Sequence, residues 1–376
     1  MTKIILPPAT IGIIGGGQLG RMMALKAREM GYGVTVLEPH PFGPAAQIAD
    51  CEINEAYTDE HALTTLLTQT DVVTYEFENI SSEDIQKLEA KGYLPQGHRP
   101  LAITQNRLTE KTEITNCGFK TAPFAKVSSV SELEEAIEKI GYPSILKTVS
   151  GGYDGKGQWM LKSAKDLEKC HPVLENQVCV LEGFVPFDKE ISVIVTRGIN
   201  EDLEAFFPIE NIHQNQILHL SIAPARISDV VANKAEYIAK ALIERLGFVG
   251  TLAIEMFVVG EDIIINELAP RPHNSGHLTI DACNVSQFEQ HIRAICGLPL
   301  LKPTLIQPAI MVNLLGQHVD YTLEKFKKVD FADAKLHLYG KDEMKTNRKV
   351  GHITFMNELE TCLNQKVQSF LVDFNK

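Results

Sequence analysis

Three glycines between an apolar strand and a helix constrain the fold of this chain more than any other local feature. They are spaced as Gly15-x-Gly17-x-x-Gly20, and the helix is predicted over residues 18–30. Strands are predicted before and after it, over residues 11–14, 34–38 and 71–77. Strand–helix–strand alternation is typical of a parallel sheet with right-handed crossovers. We therefore expect residues 1–98 to form one α/β unit.

The same glycines match the fingerprint of a dinucleotide-binding turn. Glu38 ends the next strand about 20 residues further on, where the fingerprint places an acidic residue. Glycine lets the backbone approach a phosphate closely, and a helix N-terminus favours an anion. The pattern taken alone leaves open an NAD(P)-dependent oxidoreductase, another phosphate-binding protein, and a tight turn that needs small residues.

Composition excludes several classes of partner. The net charge is −12, with 36 Lys and Arg against 48 Asp and Glu, so no non-specific binding of nucleic acid or of an anionic membrane is expected. No apolar stretch approaches the ~18 residues that a membrane span needs. The 7 cysteines are scattered without a C-x-x-C pair, which favours neither disulfides nor a cysteine zinc site. The N-terminus does not resemble a signal peptide. A reduced cytoplasm is the expected location.

A second glycine-rich segment, residues 151–158, lies between predicted strands and is bracketed by Lys147 and Lys156. It is not a Walker A loop, because Gly157 stands where Ser or Thr is required and a strand follows instead of a helix. A glycine hairpin between two strands favours a flap that covers a triphosphate with backbone N–H groups. The alternative is a flexible hairpin without a ligand.

Two apolar strands each carry one carboxylate, Glu255 and Glu267. If residues 260–262 all form the connecting loop, Glu255 faces Glu267; a two-residue loop would place it opposite Asn266. Like charges that face each other on adjacent strands are destabilising, and Mg²⁺ would reverse that penalty. We predict a magnesium site here, the alternative being two acids that face solvent.

A loop with two prolines follows the second carboxylate strand directly. Pro270 and Pro272 stiffen it, so that Arg271 and His273 are expected to be held in place. An arginine beside a metal site can stabilise charge on a transferring phosphoryl group. A histidine there can orient or deprotonate a substrate amine.

Five segments, taken together, resemble the 5-(carboxyamino)imidazole ribonucleotide synthases of the ATP-grasp superfamily. They are GGGQLGRMM at 15–23, YEFENI at 75–80, GGYDGKGQ at 151–158, NELAPRPHNSGH at 266–277 and SQFEQH at 286–291. The resemblance covers essentially the whole chain. It implies a mixed α/β and α+β architecture, the ATP-grasp fold. Its expected domains are a Rossmann-like parallel-sheet domain at 1–98, an ATP-grasp domain at 99–300 with a small flap subdomain at about 123–185, and a small β-rich domain at 301–376.

The resemblance also implies a reaction. ATP would phosphorylate bicarbonate, and the carboxyphosphate, or CO₂ released from it, would carboxylate the amine of 5-aminoimidazole ribonucleotide in de novo purine biosynthesis. ATP is then the cosubstrate and Mg²⁺ the cofactor. Members of this family are commonly homodimers.

Site residues follow from the same resemblance. ATP contacts would be Arg107, Lys147, the flap residues Gly152, Tyr153, Asp154, Gly155, Lys156, Gly157 and Gln158, the adenine hinge Glu182, Gly183, Phe184 and Val185, then Glu190 for the ribose, His213, Asn266 and Glu267. Magnesium would bind Glu255 and Glu267. The nucleotide substrate would contact Gln18, Glu76, Tyr153, Asp154, Arg271 and His273, with Lys345 and Arg348 as phosphate ligands. Catalytic roles would fall to Lys147, Asp154, Arg271 and His273.

Two other enzymes remain as alternatives. Formate-dependent glycinamide ribonucleotide transformylase shares the fold, but that family typically has Asp-Thr where this chain has Asn274-Ser275. An NAD(P)-dependent oxidoreductase would leave the second glycine loop and the paired carboxylates without a purpose.

Replacing Asp154 by alanine tests the flap assignment. We expect kcat/KM for 5-aminoimidazole ribonucleotide to fall about tenfold or more while KM for ATP changes less than about threefold, because the carboxylate is assigned to the nucleotide substrate. Steady-state kinetics with each substrate varied in turn measures both. An equal loss for the two substrates would place Asp154 on the wrong ligand.

Overall fold

The computed structural model describes residues 3–151, 157–372 and 374, and of Asp330 the backbone alone. Strands in this part of the chain form three sheets. One sheet is parallel and two are antiparallel, which confirms the predicted mixture of α/β and α+β architecture.

The N-terminal sheet is parallel, with the strand order β3-β2-β1-β4. Its elements are β1 (Thr10–Ile14), α1 (Gln18–Glu29), β2 (Gly33–Leu37), β3 (Cys51–Ile53), α2 (Glu60–Gln69), β4 (Val72–Tyr75) and α3 (Ser82–Glu89). Strands β1, β2 and β4 are almost wholly buried, as expected for a parallel sheet covered on both faces. The strand–helix–strand prediction for this region is confirmed.

Two helices lead from this unit to a small antiparallel sheet with the order β5-β8-β6-β7. The elements are α4 (Arg99–Thr104), α5 (Arg107–Asn116), β5 (Phe124–Val127), α6 (Val130–Ile140), β6 (Ser144–Thr148), β7 (Gln158–Leu161), a 3-10 helix (Ala164–Cys170), α7 (His171–Leu174) and β8 (Cys179–Gly183). The predicted flap joins β6 to β7. Its residues Gly152, Tyr153, Asp154, Gly155 and Lys156 lie outside the described residues.

The largest sheet has nine strands, with the order β14-β13-β9-β11-β12-β15-β17-β16 and β10 paired to β9. Its strands are β9 (Lys189–Arg197), β10 (Leu203–Ala205), β11 (Ile209–Gln214), β12 (Ile217–Ala223), β13 (Gly250–Val259), β14 (Asp262–Ala269), β15 (Ala309–Leu315), β16 (Lys335–Leu338) and β17 (Lys349–Met356). The remaining α-helices are α8 (Asp229–Leu246), α9 (Thr279–Ala282), α10 (Gln287–Cys296), α11 (Val319–Phe326) and α12 (Glu360–Leu371).

The C-terminal strands extend the central sheet directly, because β12 pairs antiparallel with β15. Hydrogen bonds of one sheet therefore cross the proposed domain boundary at residue 300. The division into domains at 98 and 300 stays a prediction.

Helix α8 is the longest helix among the described residues. The Ser228 hydroxyl caps its N-terminus by accepting the N–H of Val231 at 3.3 Å, and Gly247 ends it in the left-handed conformation at φ 67°. The apolar stripe of the helix, which includes Ala235 and Leu242, is buried against β9 and β13. Burial of this stripe is the main packing interaction of the central unit.

Helix α10 joins the N-terminal unit to the central sheet. Its residues Phe288 and Ile292 share one buried apolar cluster with Leu19, Met22 and Met23 of α1. The two units are therefore packed through a common core, which fixes the end of α1 relative to the central sheet.

A buried chain of hydrogen bonds crosses the same interface. The N–H of Thr251 donates to His291 Nδ1 at 3.1 Å, and His291 Nε2 contacts the Thr74 hydroxyl at 2.8 Å. Thr74 donates to the Gln96 side chain at 2.7 Å, and Gln96 donates to the carbonyl of Pro270 at 2.8 Å. Because the Thr251 N–H donates to Nδ1, that nitrogen carries no proton, so the His291 imidazole is neutral with its proton on Nε2.

None of the helices in the described residues is long and apolar enough to span a membrane. All 7 cysteines are free thiols.

We expect stability to fall in acid through His291. Burial lowers its pKa to about 4 from the ordinary value of 6.5, so the unfolded chain binds this proton first as the pH falls. The contribution of neutral His291 to stability is complete above pH ~6.5 and is lost between about pH 6.5 and 4. At pH 5 the loss amounts to about 2 kcal/mol. Urea unfolding at pH 7 and pH 5 measures the difference, which should shrink in His291→Gln. An unchanged difference in that variant would contradict the assignment.

Candidate active site

Side chains from α5, from the small sheet and from β14 meet in one cluster. Lys111 of α5 contacts the Glu182 carboxylate of β8 at 3.1 Å and donates to the carbonyl of Asn266 on β14 at 3.3 Å. Lys147 of β6 contacts the same Glu182 oxygen at 3.0 Å. The cluster therefore connects the sheet that carries the flap to the strand that carries the predicted metal ligands.

The Glu182 carboxylate is shared by two lysines, buried Lys111 and partly exposed Lys147. Its side chain is 4% exposed and that of Lys111 is 2% exposed. Burial alone would raise the pKa of Glu182, but Lys111 and Lys147 outweigh it and hold the pKa below its usual value. Burial lowers the pKa of Lys147, and Glu182 opposes that shift. Both lysines are thus preorganised cations with one carboxylate between them.

Glu255 and Glu267 face each other across the β13–β14 ladder. The turn has only two residues, Gly260 and Glu261, because Val259 pairs with Asp262. If this register continued along both strands, Glu255 would face Asn266. A bulge shifts the register between Glu255 and Met256, so that Asn266 is the extra residue. Of the two pairings that the sequence left open, Glu255–Glu267 is the one observed, but the bulge produces it and not a three-residue loop.

The electrostatics of this pair are those of two carboxylates that repel each other. Burial raises the pKa of Glu255 well above its usual value, and the nearby charges of Glu267 and Glu190 raise it further. Arg107 Nη1 lies 3.3 Å from a Glu267 oxygen. Because Arg107 lies beside Glu267, Glu255 is the acid of the pair that is less compensated by positive charge.

Glu110 is a further buried acid behind the pair. It accepts the N–H of Leu268 at 2.7 Å, and burial together with the charge of Glu267 raises its pKa to about 8. It follows Arg107 on α5 by one helical turn. Glu110 therefore anchors the strand segment that presents Glu267.

The predicted loop residues are held firmly. Two hydrogen bonds join the guanidinium of Arg271 to the carboxylate of Glu78, one of them at 2.8 Å. Burial opposes the charge of Arg271, but Glu78 outweighs burial and keeps its pKa raised. His273 lies with Nε2 3.5 Å from a Glu255 oxygen and Nδ1 2.9 Å from the Ser275 hydroxyl.

His273 is uncharged in this setting. Burial lowers its pKa well below the ordinary value, and the charges of Arg271 and Lys349 lower it further. Gln287 accepts the backbone N–H of His273 at 2.8 Å and donates back to its carbonyl at 2.7 Å. A neutral, oriented imidazole beside a carboxylate can accept a proton or a hydrogen bond from a substrate.

Two predicted ATP contacts lie on neighbouring strands. His213 of β11 has Nδ1 3.0 Å from a carboxylate oxygen of Glu190 on β9. Gln158, at the start of β7, donates to Gln216 in the β11–β12 turn at 3.0 Å, which ties the flap side to the central sheet. The predicted adenine hinge begins with Glu182 and Gly183 at the end of β8. The Phe184 N–H donates to the Pro143 carbonyl at 3.1 Å, and the next residue, Val185, is buried.

The N-terminal glycines hold a carboxylate of the chain itself. Glu76 accepts the N–H groups of Gly17 and Gly20 at 2.7 and 2.5 Å, at the start of α1 where Gln18 also lies. A Cβ on Gly17 would lie 2.5 Å from the Glu76 carboxylate, so only glycine allows this approach. Glu38 accepts the Gly16 N–H at 2.7 Å. A dinucleotide pyrophosphate would have to displace Glu76, which argues against the oxidoreductase.

The C-terminal loop carries two further lysines, Lys341 and Lys349, in addition to the predicted Lys345 and Arg348. Lys345 is exposed and paired with Glu343, and Arg348 donates to the Glu343 carbonyl at 3.3 Å. Lys349 is close enough to Glu255 and His273 to shift both of their pKa values. Lys341 donates to the Lys349 carbonyl at 2.7 Å, and burial lowers its pKa to about 8.

Sequence reasoning therefore missed Glu78, Glu110, Lys111, Lys341 and Lys349. Glu78 lies inside the quoted YEFENI segment, and its separation of two from Glu76 could have indicated it. The others gave no local signal, since their partners are distant in sequence.

This combination of sheets, a glycine-rich segment between β6 and β7, and facing carboxylates is that of an ATP-grasp ligase. Family profiles agree: the ATP-grasp domain matches residues 112–288, the ribonucleotide synthetase preATP-grasp domain residues 8–105, and the phosphoribosylaminoimidazole carboxylase C-terminal domain residues 309–366. The chain belongs to the N5-carboxyaminoimidazole ribonucleotide synthase family and is an ATP-dependent carbon–nitrogen ligase. The predicted family, fold class and enzyme class are confirmed.

Individual relatives are similar over nearly their whole length. N5-carboxyaminoimidazole ribonucleotide synthase of Bacillus subtilis is 49% identical over 359 residues, 95% of this chain and 94% of that protein. The crystal structure of an ADP complex of N5-carboxyaminoimidazole ribonucleotide synthetase is 51% identical, with a TM-score of 0.96 over 99% of this chain and 98% of that one. The Aspergillus clavatus enzyme, in complex with ADP and 5-aminoimidazole ribonucleotide, is 28% identical, with a TM-score of 0.89 over 97% and 98%.

Replacing Lys111 by methionine tests the shared carboxylate. We expect a loss of about 3 kcal/mol in the free energy of unfolding, because Glu182 keeps only one of its two lysine partners. The control is Lys120→Met, whose exposed pair with Asp262 should contribute less than about 1 kcal/mol. Urea unfolding of both variants at pH 7 measures the effect. Equal stability of the two variants would contradict the structural role of Lys111.

Proposed function

We propose that this chain catalyses the ATP-dependent carboxylation of 5-aminoimidazole ribonucleotide with bicarbonate. The products are the N5-carboxylated ribonucleotide, ADP and phosphate. The observation that carries this proposal is the facing Glu255–Glu267 pair, with the lysine cluster next to it at Asn266 and the Arg271 loop next to it at His273. The complexes of relatives with ADP and with 5-aminoimidazole ribonucleotide support the choice of both ligands.

Glu255 and Glu267 suit Mg²⁺. Carboxylate oxygens are its preferred protein ligands, and a cation between the two acids would offset both the burial and the repulsion that raise the pKa of Glu255. When bound there, Mg²⁺ would neutralise charge on the phosphates of ATP. Arg107 holds Glu267 from the opposite side and so keeps its oxygens in place.

Lys147 and Lys111 supply the positive charge for the phosphates. Lys147 lies at the end of β6 just before the flap, and Lys111 anchors Glu182 so that Lys147 keeps its position. Flap residues 152–158 would cover the phosphates with backbone N–H groups. His213 and Glu190 lie on adjacent strands where the ribose is assigned.

Arg271 and His273 act on the carboxyl group and on the acceptor. Glu78 holds the Arg271 guanidinium in one orientation before substrate arrives, which lowers the entropic cost of stabilising a carboxyphosphate anion. Neutral His273 can take a hydrogen bond or a proton from the substrate amine. Gln18 and Glu76, at the start of α1, and Lys341 and Lys349 complete the nucleotide side, with Lys345 and Arg348 at its outer edge.

We further propose that the protein is a homodimer in the cytoplasm. The free state of all 7 cysteines supports a reducing compartment.

ADP release in a coupled assay tests the function. With ATP, Mg²⁺ and bicarbonate present, we expect strong stimulation by 5-aminoimidazole ribonucleotide and none by glycinamide ribonucleotide plus formate. Stimulation by the second pair instead would identify the transformylase. No stimulation by either would overturn the proposed substrate while leaving the ATP-grasp architecture intact.

The metal assignment is tested in the same assay with Glu267→Gln. We expect kcat to fall at least about 100-fold, because one charged oxygen ligand is lost. Glu261→Gln, in the exposed turn of the same hairpin, is the matched control and should stay within about twofold of the unmodified enzyme. Near-normal turnover of Glu267→Gln at saturating Mg²⁺ would refute the assignment.

A further inference from the structure

Asp281, His337 and His352 bring three metal-ligating side chains together at a place to which the proposed reaction gives no role. Asp281 lies on α9, and the two histidines are directly opposite each other on β16 and β17. One donor atom of each lies within 4.8 Å of the donor atoms of the other two. Three elements that are distant in sequence thus converge on one point.

His352 provides a buried nitrogen without a partner. The residue is 0% exposed, and its Nε2 has no hydrogen-bond partner among the described residues. Its other ring nitrogen, Nδ1, lies 2.9 Å from the Tyr339 hydroxyl. A buried polar atom left unpaired costs about 1–3 kcal/mol, so this nitrogen indicates a missing ligand. The contact with Tyr339 fixes the ring as outer partners fix metal-binding histidines.

His337 and Asp281 provide the other two donors and a path from solvent. His337 Nε2 lies 2.8 Å from an Asp281 carboxylate oxygen, and the side chain of His337 is 31% exposed. The ring of His337 stacks on that of His352 with centroids 4.5 Å apart. Donors around a tetrahedral ion lie roughly 3.3 Å apart, so a rotation of the partly exposed His337 side chain would close the site.

We propose that Asp281, His337 and His352 form a binding site for a divalent transition-metal ion of the Zn²⁺ class. Two imidazoles and one carboxylate suit Zn²⁺, whereas Mg²⁺ and Ca²⁺ prefer oxygen ligands alone. Binding replaces the hydrogen bond between His337 Nε2 and Asp281 by two bonds to the metal, and the ring proton of His337 then lies on Nδ1. A water molecule would complete four-fold coordination.

The location gives the metal a structural role. Helix α9 follows the loop that holds Arg271 and His273, and β16 and β17 flank the loop that carries Lys341. An ion bound to all three ligands would fasten the C-terminal strands to the segment behind the Arg271 loop. The site is separate from the Glu255–Glu267 pair, whose oxygen ligands suit Mg²⁺.

Titration of the full chain with Co²⁺ tests this site. The protein is first freed of metals with a chelator and kept in millimolar Mg²⁺, which occupies the carboxylate pair. We expect one Co²⁺ per chain with visible d–d absorption, displaced by one equivalent of Zn²⁺, and a higher Tm with Zn²⁺. His337→Ala and Asp281→Asn should each weaken Co²⁺ binding at least about tenfold.

His61→Ala, which removes an exposed histidine on α2, is the matched control and should bind Co²⁺ like the unmodified chain. His337 is chosen over His352 because its partly exposed side chain can be removed without opening the core. The circular dichroism spectrum of each variant verifies folding. Absence of a stoichiometric Co²⁺ complex, equal binding by His337→Ala, or a thiolate-to-Co²⁺ charge-transfer band would each overturn the proposal.

Discussion

Glu255 and Glu267 face each other on adjacent strands, where two like charges destabilise a sheet. The residues around the pair are arranged in response to this repulsion. Arg107 lies against one of the two acids, neutral His273 lies against the other, and buried Glu110 anchors the strand behind them. In the proposed function, a divalent cation would be the partner of both acids and would neutralise their repulsion.

Ion pairs with carboxylates hold several cations of this acidic chain close together. Lys111 and Lys147 share the Glu182 carboxylate, and Arg271 is fixed by Glu78. Each partner carboxylate lowers the positive potential around it, but it also holds a flexible lysine or arginine side chain in one geometry. For a phosphoryl-transfer enzyme, whose catalysis is mostly positioning and charge stabilisation, that exchange is favourable.

The N-terminal unit shows how one local pattern can serve two purposes. A glycine turn that opens a helix is an anion site, and in a dinucleotide-binding protein the anion is a pyrophosphate. Here the anion is the carboxylate of Glu76. The same physics thus fixes a side chain of the protein itself, and the fingerprint identifies the turn without identifying its ligand.

Sequence alone determined whatever depends on near neighbours along the chain. Strand–helix–strand alternation predicted the N-terminal parallel sheet, because periodicity and turn chemistry are local, and five separated segments identified the family. Only the tertiary structure decided which groups meet. A single bulge at Asn266 set the Glu255–Glu267 pairing, and Lys111 and Lys349 reached the site from distant elements. Register shifts and long-range ion pairs arise from packing between elements, so no local pattern encodes them.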